Sequence, residues 1–163
     1  MGKRQIQLAF FETACTGNFV CAGQWRSPGE ISSTKDRIDY YMKLAQLAER
    51  GKILCVFFAD SYGGKEVYGG SQAPLLKAGT QVAQLDPVTL ISALGMVTNS
   101  VCFGITGSTS YLKPYMLART WSSLDHLTNG RVGWNVVTSY SKEVAFALGL
   151  TDVVARRQAL RDG

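Results

Sequence analysis

Apolar and polar positions along this chain alternate between two periods, and the alternation repeats. Residues 6–11 form a short apolar run ended by Glu12-Thr13, the pattern of a buried strand, and a Gly-rich polar stretch follows to about Ser33. From Thr34 the period becomes helical. Ile38, Tyr41, Met42, Ala45 and Ala48 fall on one stripe, Ser33 and Asp36 have capping-box spacing, and Gly51 marks a stop. A second apolar run, 53–58, ends just before Asp60, and a long loop carrying Gly63-Gly64 and Gly69-Gly70 follows it. Asp86-Pro87 then predicts a helix start, with Leu90, Ile91, Leu94 and Val97 on its buried side. Residues 101–105 are the third strand, running into Thr106-Gly107-Ser108-Thr109-Ser110. Pro114 opens a third helix whose stripe holds Leu117, Trp121, Leu124 and Leu127, with Gly130 ending it. Residues 131–137 make the fourth strand, and 141–148 a short helix.

Four strand-helix units with apolar strands predict an α/β fold, a parallel sheet covered by helices. Two architectures satisfy this pattern: an open doubly wound sheet, or half of a (β/α)8 barrel. Both place ligands at the carboxyl ends of the strands. The stretches to watch are therefore 12–18, 60–65, 106–110 and 135–140.

Composition narrows the function classes. With 163 residues, 46% hydrophobic and 18% charged, the chain has the make-up of one folded domain. The net charge of +5 does not predict nucleic-acid binding, because Lys and Arg are scattered rather than gathered on one stretch. An anionic small ligand fits the sign equally well. Of the four cysteines, Cys55 and Cys102 sit inside apolar runs, and no CxxC or Cys/His spacing appears, so reduced thiols and no bound metal are expected. Neither a signal region nor an apolar run of membrane-spanning length is present, which predicts a soluble, cytoplasmic chain without a membrane partner.

Known phosphate-loop patterns fail. Gly104-Ile105-Thr106-Gly107-Ser108 lacks the P-loop lysine, no GxGxxG follows the first strand, and there is no GxSxG elbow. His126 falls in a helix's last turn, where the dipole favours it and catalysis does not need it. Asp60 is the most informative residue, since a carboxylate directly after an apolar strand sits at the mouth of the sheet; capping the following turn is its plainer reading. Thr106, Ser108, Thr109 and Ser110, with Thr138-Ser139-Tyr140, are ordinary turn chemistry one at a time. Together they bring small hydrogen-bonding groups to several strand ends, as a polar heterocycle with a phosphate tail requires.

Several strings resemble a known family. Glu12-Thr13-Ala14-Cys15-Thr16-Gly17, Leu44-Ala45-Gln46-Leu47-Ala48-Glu49-Arg50-Gly51-Lys52, Asp86-Pro87, Ser123-Leu124-Asp125-His126-Leu127-Thr128-Asn129-Gly130-Arg131 and Gly133-Trp134-Asn135-Val136-Val137-Thr138-Ser139 are similar to the nitrilotriacetate, long-chain alkane and dibenzothiophene-sulfone monooxygenases of the luciferase-like superfamily. The likeness runs from Met1 to about Asp152. It implies the first four β/α units of a TIM barrel, strands in the order 1-2-3-4, as a single domain over 1–163. It further implies a monooxygenase that takes reduced FMN (FMNH2) from a separate NAD(P)H-dependent flavin reductase and uses O2 to oxygenate a small organic substrate. A flavin-binding module of the same fold without turnover is the alternative. By position, the resemblance assigns Asp60, Thr106, Asn135, Ser139 and Tyr140 to the flavin, and Cys15, Asn18, Lys65 and Gln81 to the substrate pocket; it names no catalytic residue. Asn18 and Lys65 depart from the family, which often has histidine and tyrosine there. Arg156 and Leu160 stand where a histidine and a tyrosine usually help hold the flavin phosphate, so 153–163 is expected to be an aberrant tail from a frameshifted or mis-spliced reading of a longer gene. A half barrel with open edges is expected to form homo-oligomers or to aggregate.

Overall fold

A computed structural model describes residues 5–16, 24–64, 68–79, 83–139 and 141–153. Four strands, β1 (Ala9–Thr13), β3 (Cys55–Ala59), β5 (Cys102–Ser108) and β6 (Val132–Val137), form one parallel sheet in the order β1-β3-β5-β6. Each strand pairs with the sheet strand before it in the chain. This is the barrel order, and it rules out the doubly wound alternative, in which the order must reverse at a switch point.

Helices α1 (Ile38–Arg50), α3 (Val88–Met96) and α4 (Pro114–Leu127) cover one face of the sheet. Val56 and Phe58 of β3 and Phe103 and Ile105 of β5 point into that layer. There they meet Tyr41, Ala45 and Ala48 of α1, Leu90, Ile91 and Leu94 of α3, and Leu124 of α4. The opposite face carries Phe11, Cys55, Phe57, Ala59, Gly104, Thr106, Ser108, Gly133 and Asn135, which share register positions across the ladder. Phe11 and Phe57 meet on it with ring centroids 6.0 Å apart. The edges of the sheet are β1 and β6.

Several boundaries differ from the pattern reading. β1 begins at Ala9 and carries Glu12 and Thr13 inside it, while Ile6 is 91% exposed, so the apolar start of the run lies outside the sheet. The Ser33/Asp36 capping box does not form: residues Ser32–Thr34 make a 3₁₀ turn, and α1 starts after Arg37 without a side-chain cap. Gly51 closes α1 by donating its N–H to Leu47 O, but the left-handed residue is Lys52, at φ 60°. The Asp86 signal holds, with Asp86 Oδ1 accepting the Val88 N–H at 2.9 Å. Thr106, Gly107 and Ser108 belong to β5 rather than to a loop beyond it. Leu127 is 62% exposed and falls off the buried stripe of α4. The stretch read as one long loop holds a short helix, α2 (Ala73–Ala78), and β4 (Ala83–Gln84), which pairs antiparallel with β2 (Cys15–Thr16). The last helix, α5 (Lys142–Ala147), is capped by Ser141.

At the amino ends of the strands two charged side chains tie the layers together. Glu49, in the last turn of α1, accepts the backbone N–H groups of Asn99, Ser100 and Val101 and the Ser100 hydroxyl. Arg131, at the entrance to β6, donates to Thr128 O, Thr98 Oγ1, Val101 O and Gly95 O at 2.8 to 3.0 Å. One guanidinium thereby closes the carboxyl ends of α3 and α4 onto β5. Among the described residues, no helix is long and apolar enough to cross a membrane.

Candidate functional site

At the other end of the same strands lies a cleft of about 530 Å³, bounded by Thr13 at the end of β1 and Cys15 of β2, by Ala59 at the end of β3 and 60–63 after it, by Thr106 and Ser108 of β5, and by Asn135 and 137–139 at β6. Its volume is in the range of small-molecule and cofactor sites, roughly 300–1,000 Å³. Asp60 and Thr106, from different strands, face this one space, and Asn135, Ser139 and Cys15 line it with them. Asn18, Lys65, Gln81 and Tyr140 lie outside the described residues, as do 154–163 with Arg156 and Leu160.

The polar groups of the cleft are held by one another. Thr106 Oγ1 donates to Phe58 O at 3.1 Å and accepts from Asn135 Nδ2 at 3.0 Å, so β3, β5 and β6 are stitched at the floor. Ser139 Oγ donates to Ser108 Oγ at 2.8 Å, fixing the segment after β6 against the end of β5. Asp60 Oδ1 accepts the Ser61 N–H at 2.8 Å and the amide of Gln84. The Ser61 bond is the turn-capping role expected of an aspartate here; the cleft-facing role coexists with it. Burial raises the Asp60 carboxyl from its ordinary value to about 6, with the Asp86 charge pushing the same way against the two hydrogen bonds. Tyr62 is raised too, chiefly by burial, and its ring meets Tyr111 edge-on at 6.4 Å.

Small side chains make the floor. Ala59, Thr106, Ser108 and Asn135 line the cleft with small side chains that leave room for a planar ring, and Lys142, which lines it too, offers a cation for an anionic tail. The residues present therefore fit a flavin mononucleotide in size and in donor chemistry.

Two features escaped the pattern reading. Gln84 reaches Asp60 from β4 across 24 residues, and Ser141, Lys142, Glu143 and Val144 close one wall from α5. Neither has a local signal, because both depend on how a loop and a short helix fold back. Glu12 lay in a watched stretch but serves the other face. It is buried, ion-paired to Lys35 at 2.6 Å, and accepts from Tyr40 Oη at 3.1 Å and from the Thr13 N–H at 2.7 Å. His126 is exposed in the last turn of α4, away from the cleft.

The model of the luciferase-like monooxygenase family matches residues 18–162. Dimethyl-sulfide monooxygenase of Hyphomicrobium sulfonivorans is 40% identical over 153 residues, 94% of this chain and 32% of that protein. The crystal structure of a long-chain alkane monooxygenase superposes with a TM-score of 0.92 at 36% identity, covering 98% of this chain and 37% of the other. A riboflavin lyase solved with modified FMN and riboflavin superposes with a TM-score of 0.85 at 34% identity, over 97% of this chain and 35% of that one. The chain thus spans about a third of the length of the curated relative it matches.

Proposed function

The chain belongs to the luciferase-like monooxygenase family, and from that premise we propose that its cleft is one side of an FMN cradle in a monooxygenase supplied with reduced flavin by a separate NAD(P)H-dependent reductase. The observation that carries the reading is the convergence of Asp60, Thr106, Asn135 and Ser139 on one space from three different strands. When bound, reduced flavin supplies the electrons and the activation of O2, chemistry no side chain here can perform. The chain's own residues bind and orient. Asp60 offers an acceptor for a ring N–H and, with its pKa near 6, can hold a proton close to neutral pH. Thr106 fixes the Asn135 amide, whose remaining polar edge is left for the ligand. Ser139 and Lys142 serve the ribityl and phosphate end. Cys15, on the β1 side, belongs to the pocket for the organic substrate, and Asn18, Lys65 and Gln81 are assigned there with it.

FMN titration followed by flavin fluorescence tests the cradle. Binding should occur and weaken about tenfold in Asp60→Asn and in Ser139→Ala, in line with loss of one or two hydrogen bonds. Equal affinity in the wild type and both variants would remove the basis of the proposal. A second reading is a flavin-binding module without turnover: Thr106, Asn135, Ser108 and Ser139 are hydrogen-bonded to one another and can bind a ligand without moving a proton. Supplying a flavin reductase, NADH, FMN and candidate organic substrates separates the two. Oxygenated product supports the enzyme; FMN binding with none supports the module.

A further inference from the structure

Lys142 is the one cation among the described residues that line the cleft, and it stands on a helix that cannot hold itself in place. Helix α5 has six residues, too few to be stable on its own backbone bonds. Its place beside the cleft is set from outside. Val144 and Ala145 are buried, and Val144 packs so close on Gly63 that a Cβ there would sit 3.1 Å from Val144 Cγ2. Ser141 caps the helix, its Oγ accepting the Val144 N–H at 3.4 Å.

A further tie comes from a residue outside the cleft. Tyr111 lies in the turn after β5, does not line the cavity, and donates its hydroxyl to Ser141 O at 3.2 Å. The same carbonyl accepts the Ala145 N–H at 3.2 Å, so the helix and the neighbouring turn share it. Burial, and then the Glu143 charge, push the Tyr111 phenol above its ordinary value, so it stays a donor at neutral pH. Its ring meets Tyr62, which does line the cleft, edge-on at 6.4 Å. The turn that carries Tyr111 is bonded in turn to the end of β6, through the Thr109 N–H to Val137 O at 2.9 Å. Tyr111 therefore joins the loop after β3, the turn after β5 and the start of α5.

The rotation of α5 matters because Glu143 lines the cleft beside Lys142, its carboxylate accepting the Ser141 hydroxyl. Consecutive helix residues stand about 100° apart, so a modest turn of α5 presents the carboxylate where the ammonium had been and reverses the sign of the wall. We propose that Tyr111 is a positioning residue for the anionic tail of the ligand: through its bond to Ser141 it holds α5 in the rotation that offers Lys142, rather than Glu143, to a phosphate monoester. The inference rests on the FMN reading above and adds to it a residue that touches no ligand. Only ligands that carry the phosphate should sense the Tyr111 hydroxyl, a signature that a residue merely holding the fold lacks.

Paired titrations with FMN and with riboflavin, which differ by the phosphate alone, test it by flavin fluorescence. Tyr111→Phe keeps the ring and its contact with Tyr62. In that variant FMN affinity should fall about fivefold, while riboflavin affinity stays within about twofold of wild type. Lys142→Ala should lose about tenfold for FMN alone. Lys142→Ala/Tyr111→Phe should lose no more than Lys142→Ala, as two residues acting through one contact do. Equal losses for both flavins in Tyr111→Phe, no loss for FMN, or losses that add in the double variant overturn the inference and leave the cradle standing. A wild type that binds neither flavin overturns the cradle and this inference with it. Hydrogen exchange on the wild-type chain guards against a variant that fails to fold. FMN should slow exchange over 109–112 and 141–147 together, more than riboflavin does, and protection of 141–147 without 109–112 overturns the link.

Discussion

The two ends of the same four strands treat ionisable side chains in opposite ways. At the amino end, Glu49 faces a row of backbone N–H groups and its carboxyl is held down at about 2, the bonds from Ser100 and Asn99 being the largest causes. At the carboxyl end, Asp60 has one backbone donor and one amide, is pressed by burial and by Asp86, and rises to about 6. The residue class is the same; the number of donors and the degree of burial set the sign. Arg131 extends the contrast, since it too is consumed by fold-internal carbonyls, whereas the cleft groups Asn135 and Ser139 keep bonding capacity to offer. One end is consumed in closing the fold, and the other is where the proposed ligand would bind, the division expected of strand ends in a barrel.

Arg131→Ala should break the closed end most severely. It leaves the Gly95, Val101 and Thr128 carbonyls without their charged donor, and a loss of about 3 kcal/mol in urea unfolding is expected. An unchanged midpoint would remove the distinction between the ends. Gly107→Ala comes next. A Cβ there would sit 2.5 Å from the Trp121 ring and 2.8 Å from Trp134 Nε1, on the helix side directly beneath the cleft. A cost of about 2 kcal/mol is expected, read by thermal melting, with the Trp121–Trp134 contact displaced and the indole fluorescence altered.

Asp60→Asn sharpens the comparison because it should stabilise. The folded pKa of about 6 lies above the ordinary value of 3.8, so Asp60 favours the native state fully below pH 3.8 and loses that contribution as pH rises through 6. At pH 7 the variant should therefore gain ~1–2 kcal/mol, an allowance made for solvent screening, and the fall in stability between pH 4 and 6 should flatten. Destabilisation by Asp60→Asn at pH 7 would mean that the carboxylate serves the fold after all. Glu49→Gln has the smallest expected effect and the opposite sign. Its depressed pKa adds stability above pH 4.5 that fades as pH falls toward 2, so the melting temperatures of variant and wild type should differ modestly at pH 7 and converge at pH 2.

How legible the molecule is in its sequence depends on how local each cause is. The Asp86-Pro87 helix start, Asp60 at the strand mouth and the stripe Leu90, Ile91, Leu94 all follow from neighbours a few residues away, and all three stand in the structure. Glu12 could not be read, because its partners Lys35 and Tyr40 come from 23 and 28 residues on and draw it to the helix face. Gln84 was invisible for the same reason, and two-residue strands such as β2 and β4 are too short to carry a period. Ile6 shows the reverse failure: an apolar residue in a strand-like run lies outside β1 and is exposed. For the cleft, strand ends were the right guide, and the wall contributed by α5 was beyond it.

The strand order has a consequence for how the molecule comes into being. Since each strand of the four-stranded sheet after β1 docks on the sheet strand synthesised before it, a nascent chain can lay down β1, β3, β5 and β6 in turn as they leave the ribosome. At every stage of that growth the newest strand presents a row of unsatisfied amides and carbonyls to whatever comes next.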